Sequence, residues 1–379
     1  MAALKAVLAS QVPNLDQVTE VASPIGQGFE LANKQQQQLP RKPKFLVIGH
    51  RGNGMNKLQS PDPRMSAIKE NSILSFNAAS RFPLDYIEFD VQVTKDGCPV
   101  IFHDDFIIAR HNGNVVEKRI TELCLAEFLE YGPQRDCEKS GKSLLRRSKD
   151  GNLMEWNVKA DDAFCTLQET FQLVPPALGF NIELKFDDYI AYPQQHLLRA
   201  LNSVLQVVFE YAQDRRIIFS SFHPDAAQLV RQLQNTYPVY FLTNGGSEIY
   251  EDVRRNSLEE ALKLSLECGL QGIVSEAKAV FRNPMLVQKI KDSNLSLLTY
   301  GSLNNVKEAV YMQHVMGVDG VIVDFVEEIC EAVCDLISHS SICDEGLAQC
   351  TGRLAGTRPQ FSEKEIAFLF RLIPELIQL

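Results

Sequence analysis

The chain has 379 residues, 45% of them hydrophobic and 23% charged, an ordinary globular balance with enough apolar side chains for one large domain or two average ones. A net charge of −10 and the lack of a dense Lys/Arg run argue against a nucleic-acid partner, and no charge-free apolar stretch of about 18–20 residues is present to cross a membrane. The nine cysteines are scattered without the paired spacing of a metal knuckle, which reads as reduced thiols in an intracellular compartment rather than a disulfide framework.

Residues 1–44 lack the basic start and long apolar stretch of a secretory signal. Gln35 to Gln38 and Pro40 read as a flexible lead-in. Asp16, Glu20 and Glu30 weaken a transit-peptide reading, so a cytoplasmic or a plastid location both stand as expectations. The first strand is the apolar run 45–51, which ends on His50 and Arg51 and is closed by Gly52 and Gly54. Those two polar residues then stand at a C-terminal strand end, where α/β folds place their chemistry. A polar loop, 53–69, is long enough to rim a pocket. The pattern next predicts a helix over 71–81, with Asn71 as N-cap and Ile73, Leu74, Phe76 and Ala78 on its buried face. Residues 86–94 form a second strand, and the Asp96-Gly97 turn returns 99–103 as its hairpin partner. Residues 105–165 read as an irregular polar insertion, with basic Arg146, Arg147 and Lys149 and the single tryptophan, Trp156. A helix over 167–173 follows.

From there the chain alternates. Apolar runs at 180–185, 217–222, 238–243, 272–276, 295–300 and 320–324 are each followed by a stretch of helical period, near 189–213, 224–236, 256–268, 284–292, 304–315 and 326–338. With the strands at 45–51 and 86–92 this makes eight β-then-α units, which implies a parallel sheet with right-handed crossovers. The fold class is α/β: a (β/α)8 TIM barrel over 45–340, with an insertion of about 93–165 after the second strand. A doubly wound open sheet is the alternative, but Gly52-x-Gly54 lacks the third glycine of its dinucleotide turn. Residues 341–379 read as a linker and a C-terminal apolar helix from Phe361, with a Ser362/Glu365 capping box and a kink at Pro374. Such a helix packs on the barrel, makes a homodimer contact or touches a membrane surface, but is too short to span one.

Residues two apart on a strand share a face, so Glu88 points with Asp90 and Glu183 with Lys185 toward the barrel mouth. Three inward carboxylates repel one another in a low-dielectric site, and a hard divalent cation such as Mg²⁺ or Ca²⁺ (Mn²⁺ as a further candidate) resolves this. The plainer reading makes Glu88 or Glu183 a buried ion-pair partner of Lys185 or Arg51. His50 and His103 end strands on the same face, suited to paired acid–base work, while Arg51 and Lys185 suit a phosphate oxyanion. The set fits phosphoester cleavage. Glu276, Tyr300 and Asp324 also end strands, and Phe222 either packs on a substrate or caps the core. His223, just past a strand end, reads as a bystander, and His111, His196, His314 and His339 read as solvent-facing residues of loops or helices.

His50-Arg51-Gly52, Glu70-Asn71-Ser72, Glu88-Phe89-Asp90, the stretch Thr94 to Val100 leading to His103-Asp104, and Glu183-Leu184-Lys185 closely resemble the motifs of the glycerophosphodiester phosphodiesterases. Phe219 to Phe222 and Gly317 to Asp324 extend the resemblance, which covers about 45–340 and looks most like the soluble plant-type members. It implies a barrel enzyme that hydrolyses small glycerophosphodiesters, with Glu88, Asp90 and Glu183 as metal ligands, His50 and His103 as base and acid, and Arg51 and Lys185 on the phosphate. Glu70, Phe222, Glu276 and Tyr300 would line the pocket. Ser72 replaces the family's usual threonine, and Tyr300-Gly301-Ser302-Leu303-Asn304 replaces its Trp-Thr-Val-Asn-type motif. A lysophospholipase D-like enzyme or a cyclising lyase on the same barrel is the alternative, and a non-catalytic phosphodiester-binding barrel is a further one.

Overall fold

In the computed structural model, residues 44–132, 142–148 and 150–335 are described. Eight parallel strands close a barrel: β1 (Leu46–Gly49), β2 (Tyr86–Val93), β8 (Gly179–Leu184), β9 (Ile217–Ser221), β10 (Val239–Thr243), β11 (Gly272–Glu276), β12 (Ser296–Tyr300) and β13 (Gly320–Val323). Closure is made by β1, which pairs in parallel with both β13 and β2. The expected alternation is therefore present, with helical crossovers such as Gln194–Tyr211 and Pro224–Leu233 between parallel strands. The first of these begins at Gln194 rather than 189, because Pro193 takes the N-cap position and residues 186–193 form a mouth loop. One helix, Ala277–Arg282, was not expected between β11 and Pro284–Asp292.

Side-chain alternation divides the core in two. Ile87, Phe89 and Val91 of β2 and Phe180, Ile182 and Leu184 of β8 face outward into the cluster beneath the helices. Ile48, Ile218, Tyr240, Leu242, Val274, Leu298 and Ile322 fill the barrel interior. On β2 and β8 the inward positions are instead Glu88, Asp90, Asn181 and Glu183, so the apolar filling stops where the site begins.

The insertion is not irregular. The hairpin strand β3 (Pro99–Ile101) pairs antiparallel with β2 as expected. Beyond it, β4 (Phe106–His111), β5 (Asn114–Arg119), β6 (Lys142–Arg147) and β7 (Leu153–Glu155) form a separate antiparallel sheet in the order β5-β4-β6-β7. It has its own core, in which Phe102, Phe128, Trp156 and Phe164 pack against Ile107, Ile120 and Leu144. Its strands are short and β5 is largely exposed, so the polar outer face hid their period in the sequence. Lys149, His339, the N-terminal segment to residue 43 and the expected C-terminal helix lie outside the described residues. Among the described residues no helix is long and apolar enough to cross a membrane.

Candidate active site

The parallel register of β2 and β8 sets Asp90 opposite Glu183 and Glu88 opposite Asn181. One oxygen each of Glu88, Asp90 and Glu183 then lies within 4.8 Å of the others, with all three residues buried. Burial and the charge of Asp90 push the Glu88 carboxyl upward, and burial raises Glu183 despite Lys185. Asp90 goes the other way: burial opposes its charge, but His103, Arg51 and Lys185 outweigh it. Glu88 Oε1 and Asp90 Oδ1 are buried oxygens with no hydrogen-bond partner. Orphaned, converging carboxylate oxygens are what a hard cation would occupy, so the residues present fit a divalent ion.

Two cations border the triad. Lys185 Nζ lies 2.9 Å from Glu183 Oε1 and 3.7 Å from Asp90 Oδ1. The buried Arg51 gives its backbone N–H to Glu88 Oε2 at 2.9 Å and its Nη1 to Glu70 Oε1 at 2.7 Å, with Nε 3.4 Å from Asp90 Oδ2. The chain reaches this position through a left-handed turn: Arg51 has φ 49° and Gly52 φ 92°. A Cβ on Gly52 would stand 2.6 Å from Ser75 Oγ, so only glycine fits there. Asn71, expected as a helix cap, also sits at φ 53°. The helix is instead Ile73–Ala79, capped by Ser72, whose Oγ accepts from Ser75 N. Asn71 is thereby freed to donate from Nδ2 to Asp90 Oδ2 at 2.8 Å. Two non-glycine residues in a costly backbone region, both touching Asp90, mark the place where the fold spends stability on the site.

The two histidines flank the triad, each backed by a carboxylate. His50 Nδ1 is 2.7 Å from Asp324 Oδ1, and its Nε2 lies 4.0 Å from Glu88 Oε2. Asp324 is fixed in turn by Met55 N–H at 3.0 Å and by Asn305 Nδ2 at 2.8 Å. Burial lowers His50, but the charge and hydrogen bond of Asp324 leave it raised above the ordinary imidazole value. His103 Nδ1 is 2.7 Å from Asp104 Oδ1. Burial together with the Arg51 and Lys185 charges brings His103 down to about 4. One histidine is thus held toward its cationic form and the other toward its neutral form.

The remaining expected residues divide. Glu70 is buried, with Oε1 shared by Arg51 and Arg146 and Oε2 taking the Asn56 N–H, so it braces the site rather than lining a pocket. Phe222 and Tyr300 are half-buried and meet edge to face, with centroids 6.0 Å apart. Glu276 stands beside Tyr300 in register, and its Oε2 is buried without a partner. His223 caps the helix Pro224–Leu233 through Nδ1, consistent with a bystander. His314, expected to face solvent, is half-buried, its ring edge-on to Phe45 at 5.2 Å. Sequence reasoning missed Asn71, Asn305, Asn56 and Arg146 as site residues. Strand alternation on β6 puts Arg146 on the Leu144 side, toward the buried core, a signal that was available had the strand been recognised.

Buried carboxylates set between two oriented imidazoles, at the C-terminal mouth of a closed parallel barrel, place the molecule among the (β/α)8 enzymes. A sequence profile of the glycerophosphoryl diester phosphodiesterase family matches residues 50–328, and the chain belongs to that family. It is 61% identical over 376 residues to the chloroplastic glycerophosphodiester phosphodiesterase GDPD1 of Arabidopsis thaliana, covering 99% of each chain. It is 34% identical to the glycerophosphocholine phosphodiesterase GDE1 of Candida albicans over 76% of this chain and 28% of that one. Among solved structures it resembles an Oleispira antarctica phosphodiesterase in complex with the product sn-glycerol-3-phosphate, with a TM-score of 0.53, 20% identity, and coverage of 76% of this chain and 96% of that one.

Proposed function

We propose that the chain hydrolyses glycerophosphodiesters such as glycerophosphocholine and glycerophosphoethanolamine to sn-glycerol 3-phosphate and the free alcohol, within glycerophospholipid breakdown and phosphate recycling. The observation that carries this reading is the convergence of Glu88, Asp90 and Glu183 with His50 and His103 at one barrel mouth, in a chain of this family. Glu88, Asp90 and Glu183 would hold Mg²⁺ or Ca²⁺, the hard cations that carboxylate oxygens favour. When bound, the ion supplies positive charge that polarises the phosphoryl group.

The chain's own residues do the rest. Lys185 and Arg51 present charge to the non-bridging oxygens. The substrate's glycerol carries a hydroxyl beside the phosphoester carbon. One histidine takes the proton of that hydroxyl as its oxygen bonds to phosphorus, and the other gives a proton to the departing alcohol as the old P–O bond breaks. Water then opens the resulting cyclic phosphate. A substrate without the neighbouring hydroxyl checks the route: normal turnover on it rules out the cyclic step and leaves direct attack by water.

The reading is tested by assaying glycerophosphocholine and glycerophosphoethanolamine with Mg²⁺, Ca²⁺ and Mn²⁺ in turn. Release of sn-glycerol 3-phosphate that a chelator abolishes is expected. No release with any of the three metals overturns the assignment. A plastid location is the reading that the 61% identical chloroplastic relative supports. Import of the full chain into isolated chloroplasts tests it, with retention outside the organelle as the contrary result.

A further inference from the structure

We infer that Arg146, delivered by the insertion's sheet, is a positioning residue for proton transfer: it fixes His103 through Asp104 and fastens Glu70, the carboxylate that holds Arg51. The inference rests on the phosphodiesterase reading above and deepens it, because it makes the insertion part of the working site.

His103 follows β3 on a stretch without regular structure, and its carboxylate partner is its own chain neighbour, Asp104. The backbone here is held, since Gln92 Nε2 donates to the carbonyls of both Phe102 and Asp104 at 2.9 Å, but two side chains bonded to each other leave their common direction open. A third, fixed point is needed to define the ring's direction. Arg146 supplies it. Its Nε donates to Asp104 Oδ2 at 2.9 Å and its Nη2 to Asp104 Oδ1 at 2.8 Å, a two-point fork that sets the plane of the carboxylate. The same Nη2 donates to Glu70 Oε1 at 2.9 Å, and Nη1 donates to the Asn56 carbonyl at 3.1 Å.

The arginine is itself anchored. Residue 146 lies on β6, paired antiparallel with Met154 of β7, and the guanidinium sits 4.5 Å over the Trp156 ring. Trp156 Nε1 donates to Asn56 Oδ1 at 3.0 Å, and that oxygen also accepts the Glu70 N–H. A continuous path runs from the insertion core through Arg146 to both His103 and Arg51. The hydrogen bonds of the guanidinium go to Asp104, Glu70 and Asn56, so Arg146 acts through other groups and is not itself catalytic. Lysine, a point charge, could not keep the fork on Asp104 and the bond to Glu70 together.

The experiment compares wild type with Arg146→Met, Arg146→Ala, Arg146→Lys, Asp104→Asn and Arg146→Met/Asp104→Asn on glycerophosphocholine with saturating metal. Arg146→Met is expected to lower kcat by about 10- to 100-fold, the usual range for a group that orients a functional ligand, with KM within about threefold. Arg146→Lys should recover little of that loss, whereas guanidinium ion added to Arg146→Ala should restore part of it. The double variant should be no slower than the slower single one, since both remove the same support. Multiplying losses, a kcat within about twofold of wild type in Arg146→Met, or full activity in Arg146→Lys, would overturn the role. If Arg146→Met does not fold, Arg146→Lys, which keeps the charge, decides alone. NMR of the imidazole protons separates this inference from the function it rests on. Should wild type hydrolyse nothing, the phosphodiesterase reading fails by itself. The inference still requires that the His103 Nδ1–H resonance broaden or vanish in Arg146→Lys while that of His50 persists, and an unchanged His103 resonance refutes it.

Discussion

His50 and His103 meet the same acidic centre from two differently built sides. The His50 side is all barrel: β1 delivers the ring, Asp324 follows β13, and Asn305 precedes the helix Lys307–Met316. The strand pairing that closes the barrel also sets that geometry, with Ile48 and Gly49 in register with Ile322 and Val323. The His103 side is assembled from a loop and an insertion, so Asp104 depends on an arginine from a separate antiparallel sheet. Electrostatics follow construction. Burial lowers both rings, but Asp324 outweighs it at His50, which is raised, whereas at His103 burial is joined by the charges of Arg51 and Lys185, which outweigh its carboxylate neighbours and depress it to about 4. Two chemically identical side chains thus acquire opposite protonation biases from the elements that hold them.

The largest expected effects test whether both sides are needed. His50→Ala and His103→Ala should each lower kcat by about 10²- to 10⁴-fold, measured as sn-glycerol 3-phosphate released, and an unchanged rate would remove that histidine from the chemistry. Asp324→Asn is sharper, because it keeps the shape but removes the negative charge beside His50 and puts a donor where either the Met55 N–H or Asn305 Nδ2 needs an acceptor. A fall of about 10²-fold or more in kcat is expected, and retention of most activity would show that His50 does not depend on that carboxylate.

Acid titration addresses the braces on the two sides. Burial alone would raise Glu70, yet Arg146 and Arg51 hold it at about 2, against an ordinary 4.5. Asp324, also opposed by burial, is held at about 2 by His50, the Met55 N–H and Asn305, against 3.8. Both folded values are depressed, so the stability these groups give is complete above about pH 4.5 and is lost as pH falls toward 2. For Glu70 the amount is about 3 kcal/mol. Urea unfolding of Glu70→Gln should lose less stability than wild type between pH 4.5 and 2.5, and equal slopes would contradict the assignment. The smallest change is Trp156→Phe, which deletes one hydrogen bond to Asn56 and should cost about 1 kcal/mol with little effect on KM. A larger loss in kcat than in stability would show that the insertion core reaches the chemistry more directly.

What the sequence disclosed follows the same division. The barrel strands, the inward Glu88, Asp90 and Glu183, and the terminal His50 were legible because period-2 alternation and apolar runs ending in charge are local signals. The braces were not. Asn71 resembles a cap, and only its left-handed backbone turns its amide to Asp90. Asn305 reaches Asp324 across 19 residues and Arg146 reaches Asp104 across 42, pairings that no window of sequence contains. Glu70 was noticed, but as a pocket residue, because nothing local tells a carboxylate facing substrate from one gripped by two arginines.

The claim on which all else depends is that Glu88, Asp90 and Glu183 together bind a divalent ion between the two histidines. Calorimetric titration of metal-stripped protein with Mg²⁺ and Ca²⁺, for wild type and for Asp90→Asn, tests it most directly. Wild type is expected to bind one ion per chain and Asp90→Asn to lose that binding, with Asp324→Asn binding normally. Equal binding by wild type and Asp90→Asn would contradict it.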